Sequence, residues 1–175
     1  MMKITELQQY LGFPAQNIEF DKFLTASGIS RRPKFLGSPV ERINQIDTGI
    51  SLVFESRSGF EKFWGPAKED GEMIFGSMQV FSDHNDSGFS RYQDTLPYDL
   101  SFNTTVKEAL ALFGQPTLDH VSGPNHVYLW YNFQQAGWTF SICFLPGEKG
   151  VSFLSLEKAK LRPPRKRKLD FATRV

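Results

Sequence analysis

Asp83, Asn85, Ser87 and Asp94 fall at positions one, three, five and twelve of one stretch, with Gly88 at position six. That is the spacing at which a loop wraps oxygen ligands around a calcium ion. The surroundings argue otherwise. A strand pattern precedes the stretch, Pro97 follows it, Ser90 stands where an apolar residue is usual, and Asp94 is shorter than the customary bidentate glutamate. The segment therefore reads as a solvated polar loop, and no metal site is expected.

The other chemistry-bearing residues are scattered. His84, His120 and His126 are the only histidines, and none stands four residues from another as a helical metal pair requires. Asp119 precedes His120 and reads as a salt link in a loop. Cys143, the single cysteine, alternates within an apolar strand pattern and reads as a buried thiol. No nucleophile elbow, phosphate loop or dinucleotide fingerprint is present. The expectation is a protein without catalytic residues or a cofactor.

Residues suited to binding are plentiful. Glu55, Glu61, Glu69, Asp70, Glu72, Asp83, Asp86 and Asp94 supply acidic candidates. Tyr128, Trp130 and Tyr131 crowd aromatics onto one strand, so both of its faces carry them. An exposed aromatic row on a sheet is a plausible contact surface. Residues 158–175 hold eight basic side chains against one acid, Asp170, hence +7; the net charge of +1 then leaves −6 on the rest. An acidic body suits a basic partner, and it opposes nucleic acid. The basic end, with Pro163-Pro164 and Arg165–Lys168, reads as a flexible tail.

These residues need elements to hold them. Thr105 and Glu108 have capping-box spacing, Val106, Ala109, Leu110 and Phe113 share one helical face, and Gly114 with Pro116 ends the helix. Ile4–Leu11 repeats this arrangement, with Thr5 and Gln8 as its box and Gly12 with Pro14 as its stop. Asp21–Ser27 reads as another short helix. Val40–Asp47 and Ile50–Glu55 form a hairpin around Thr48-Gly49. Gly59–Trp64 reads as a strand, and so does Glu72–Ser82, with Gly76 allowing a bulge. Thr117–Asn125 reads as a loop, His126–Phe133 and Trp138–Leu145 as strands around a turn at Gln135–Gly137, and Val151–Lys158 as the last strand. Trp138, Phe140, Ile142 and Phe144 share one face.

Aligning Ile4 with Val106, and Thr48 with Ala136, suggests two helix-then-meander units. The expected fold is α+β: two such repeats, 1–95 and 96–160, in one compact unit whose sheet is covered by short helices, then a tail from 161 to 175. No secretory signal pattern and no apolar run of membrane-spanning length is visible, so the chain reads as cytoplasmic.

Leu96-Pro97-x-x-Leu100-Ser101-Phe102, then a helix ending Gly114-x-Pro116, then Trp130 in a strand, resembles the C-terminal half of bacterial immunity proteins found beside secreted polymorphic toxins. The helix-plus-three-strand unit is also similar to that of the β-lactamase-inhibitor protein and of a small outer-membrane-assembly lipoprotein. The resemblance covers residues 96–157. It implies a non-catalytic protein that neutralises a cognate toxin, such as a basic nuclease, by occluding it. Partner contacts would come from Glu69, Asp70, Glu72, Asp83, Asp86, Tyr128, Trp130 and Tyr131. The alternative is a nucleic-acid-associated or scaffold protein that works through its basic tail.

Overall fold

The computed structural model describes residues 1–133 and 138–161. Over these the chain forms α1 (Ile4–Leu7), α2 (Ile18–Ala26), β1 (Val40–Gln45), β2 (Ile50–Ser56), α3 (Arg57–Trp64), β3 (Met73–Phe81), α4 (Val106–Phe113), β4 (Leu118–Ser122), β5 (Asn125–Phe133), β6 (Trp138–Phe144) and β7 (Val151–Lys158). The expected tail beyond Leu161 and the turn at Gln135–Gly137 lie outside the described residues.

Three helices start where a short polar side chain satisfies a free N–H. Asn17 accepts from the Phe20 amide at 3.0 Å and Ser56 from that of Gly59 at 3.3 Å. At α4 the capping box is complete: the Glu108 amide donates to Thr105 Oγ1 at 3.2 Å, and the Glu108 carboxylate accepts from the Thr105 amide at 2.9 Å. The box expected at Thr5 and Gln8 is not formed. Lys3 is the N-cap there without a side-chain bond, and Thr5 lies inside the first turn.

All seven strands join one antiparallel sheet in the order β1-β2-β3-β7-β6-β5-β4. The protein is therefore α+β with a sheet-dominated core. β7, the last strand among the described residues, lies in the middle, between β3 and β6. The bulge foreseen at Gly76 is present: Val53 pairs with Ser77 and Phe54 with Phe75, leaving Gly76 unopposed.

Period-two alternation sorts the strands' side chains onto two faces. One face reads Ile43, Leu52, Met78, Leu156, Phe140 and Trp130 across six strands. Phe20 and Leu24 of α2, Ile4 and Leu7 of α1 and Ala109 of α4 pack on it as one core. Phe20, Phe54 and Phe75 form a ring cluster with centroids 5.1–6.2 Å apart, and Phe113 and Phe140 meet edge-on at 4.8 Å.

Two segments differ from the sequence reading. Gly59–Trp64 belongs to α3, not a strand. Phe60 and Trp64 stand four residues apart, stack at 5.3 Å and close a small second core with Ile74. Thr117–Asn125 is not a loop throughout, because Leu118–Ser122 forms β4. It pairs with β5 across a tight turn in which Gly123 takes a φ of 60°, where glycine carries no steric penalty. Among the described residues no helix is long and apolar enough to cross a membrane.

Candidate functional site

The sheet's second face carries a different row: Asn44, Ser51, Gln79, Ser155, Ser141, Leu129 and Leu118, one from each strand in register. The first five are short or polar. Arg42 reaches across β2 to donate to Gln79 Oε1 at 3.1 Å, and Ser51 Oγ donates to Asn44 Oδ1 at 2.7 Å. Helix α3 stands over one end of this face. At the other end Phe89, from the loop after β3, stacks on Phe81 with centroids 4.0 Å apart.

Charge gathers beside α3. Glu55 of β2 and Glu157 of β7 point onto this face on either side of β3, where Gly76 lacks a side chain; a Cβ there would lie 3.1 Å from Glu55 Cγ. Lys160, two residues past β7, puts its Nζ 3.4 Å from Glu157 Oε2. The same ammonium lies 5.4 Å from the Trp64 ring centroid and 5.1 Å from that of Tyr131, within cation–π range of both. Burial pushes the Glu157 carboxyl above its ordinary range, and Lys160 pulls it partway back. Glu55 is raised for the same reason, opposed by Arg42 and Lys160. The indole N–H of Trp64 also favours the charged form of Glu157, but from outside hydrogen-bonding geometry. It is a buried donor with no hydrogen-bond partner.

The acidic candidates separate into two groups. Glu69, Asp70 and Glu72 share the segment leading into β3. Asp70 pairs with Arg57 Nη1 at 2.8 Å, Glu69 accepts from Asn17 Nδ2 at 2.9 Å, and Glu72 accepts from the Phe35 amide at 3.4 Å. Arg57 also holds Glu61 at 3.0 Å, and that bond keeps the Glu61 carboxyl below its usual range. Asp83 and Asp86 sit beyond the far end of β3, roughly 30 Å away at the usual rise for nine residues.

The aromatic row expected on β5 is split by the pleat. Trp130 is 3% exposed, belongs to the helix-covered core, and donates from Nε1 to the Gly114 carbonyl at 3.1 Å. Burial therefore removes Trp130 from the surface set. Tyr128 is half-buried on that same side, stacked on His126 at 4.6 Å. Tyr131 alone of the three meets Lys160 on the open face.

In the Asp83 loop the would-be calcium ligands are engaged locally. Asp83 pairs with Arg91 at 3.1 Å, and the Asn85 carboxamide accepts from the Ser87 and Phe89 amides while donating to the Phe89 carbonyl. Among the described residues no group of three or more His, Cys, Asp or Glu side chains is placed to hold a metal ion. Asp119 pairs with His126, at 3.1 Å across the hairpin, rather than with His120 as the sequence suggested. Cys143 is 1% exposed, and burial pushes its thiol up, away from the reactive thiolate. A cleft of 720 Å³ opens beside Asp86, between His84, Asn125 and Lys149.

The grouping of Glu55, Trp64, Tyr131, Glu157 and Lys160 was missed in sequence. Its members come from three strands, α3 and the segment after β7. The one local hint was Trp64 four residues after Phe60, which places an indole on a helix face.

No family model and no curated protein matches the chain. Among solved structures the chain is similar to a DUF4309 family protein, YjgB, from Bacillus subtilis, at 9% identity. The match covers 79% of this chain and 76% of that one, with a TM-score of 0.42.

Proposed function

We propose that this is a non-catalytic binding protein, an immunity protein that occludes a cognate bacterial toxin in the cytoplasm. The observation that carries the reading is the open sheet face. Helices α1, α2 and α4 cover one side of the seven-stranded sheet; on the other, between α3 and the loop at Phe89, Asn44, Gln79, Ser155 and Ser141 stay at least partly exposed as a hydrogen-bonding platform. The serines of that row lose little rotamer entropy when a partner covers them. Two helix-plus-meander repeats, 1–95 and 96–160, fit the strand order, since β1-β2-β3 and β5-β6-β7 run inward from opposite sides to meet at β3 and β7. The acid groups at both ends of β3 and the −6 body supply the field that would steer a basic toxin such as a nuclease.

Co-expression tests this. Cells making the toxin encoded beside this chain should survive only when the chain is also made. Survival that is the same without it, or protection that needs residues 163–175 and not the body, would replace this reading with the nucleic-acid one. Reversing charge at Glu69, Asp70 and Glu72 together should slow association and flatten its salt dependence while leaving dissociation nearly unchanged.

A further inference from the structure

Lys160 is seated like a ligand. Its ammonium is enclosed by an indole from α3, a phenol ring from β5 and a carboxylate from β7, at 5.4 Å, 5.1 Å and 3.4 Å. The side chains of Lys160 and Glu157 are only 20% and 16% exposed, so the pair is largely removed from water. Glu55 of β2, beside Gly76, lies within electrostatic reach of the same ammonium. Two aromatic faces with two carboxylates are the combination that selects a cationic side chain.

The occupant comes from the edge of the fold. Lys160 lies past the last strand pairing, on a segment that Leu161 ties to α3 through its amide, 2.9 Å from the Phe63 carbonyl. The walls belong to the sheet and α3, so they persist if that segment lifts. The seating is also incomplete. Trp64, 8% exposed, keeps its Nε1–H beside Glu157 without a hydrogen bond. A carboxylate released from Lys160 is free to turn and accept that N–H while its second oxygen meets an incoming cation, which offsets part of the cost of exchange.

We propose that Trp64, Tyr131, Glu157 and Glu55 form a receptor for a lysine or arginine side chain, filled by Lys160 in the free protein and by a basic protein partner in the complex. The identity of the occupant in the complex rests on the binding reading above; the receptor itself does not.

The test is Lys160→Ala titrated with n-butylammonium, following the indole N–H resonances by NMR, with Trp64 assigned through Trp64→Phe. The Trp64 signal should shift saturably while those of Trp130 and Trp138 stay in place, and Glu157→Gln added to Lys160→Ala should weaken binding at least tenfold. An unmoved Trp64 signal, or an equal response in the double variant, overturns the receptor. A second measurement uses the wild-type chain and so does not depend on the variant folding. n-Butyltrimethylammonium, which acylating reagents cannot modify, should speed acetylation of Lys160 relative to exposed Lys149. An unchanged ratio counts against the receptor. Neither arm contains a toxin. A saturable shift alongside failed protection removes the immunity reading alone, and a flat titration removes the receptor whatever the cells do.

Discussion

The two faces of the sheet use the same strands for opposite ends. One register step separates Leu52, Met78, Leu156 and Phe140 from Ser51, Gln79, Ser155 and Ser141. The first row is held under α1, α2 and α4 and supplies the driving force for folding; the second is polar and short. The proposed division gives folding to one set of alternate residues and partner binding to the exposed members of the other. The second face is not uniformly open: Val53, Phe81, Thr139 and Cys143 are buried on it, and beside α3 Glu157 and Lys160 place charge in a largely buried setting with Glu55 close by.

The contrast breaks most visibly at Phe140. Truncating it to alanine removes a fully buried ring that stacks on Trp130 and meets Phe113, so urea unfolding should report a loss of about 3–5 kcal/mol. Loss of the cover should cost less. Thr105→Ala deletes half of the capping box of α4 and should lower stability by about 1 kcal/mol, read the same way. The buried charge should show itself through pH. Burial raises Glu55 and Glu157 above the ordinary glutamate value of 4.5, so between 4.5 and their folded values the native chain holds protons that the unfolded chain has released. Their contribution to stability therefore declines as pH rises through that window. Glu157→Gln should flatten this decline in melting curves taken across it; an unaltered slope would show that Glu157 is not its source. Least affected should be Ser155→Ala on the open row, within about 0.5 kcal/mol of wild type by urea unfolding.

Legibility in the sequence followed how far each signal depends on distant residues. The α4 box and its stop at Gly114 are local, and they read correctly. So did the alternation of Phe140, Ile142 and Phe144, because those three are buried in succession on one side of β6. Strand β4 left no such trace. Four of its five residues are exposed, so burial imposes no period on Leu118–Ser122. Helix α3 was misread because its aromatic content suits a strand and Gly59 weakens the helical pattern, whose signal lies in two positions, Phe60 and Trp64. On β5 the sequence put aromatics on both faces, but only the packed elements decide that Trp130 joins the main core while Tyr131 stays partly exposed beside Lys160. The Lys160 seat depends on β3 and β7 becoming neighbours, which no local window contains.

The central placement of β7 has a consequence for synthesis. On the ribosome β1, β2 and β3 can pair as they emerge, and β4, β5 and β6 after them, but β3 and β6 each keep an open edge until residues 151–158 have been made. The two partial sheets therefore present unpaired backbone, the kind of surface on which nascent chains stick to one another. Closing both edges thus waits on one eight-residue strand.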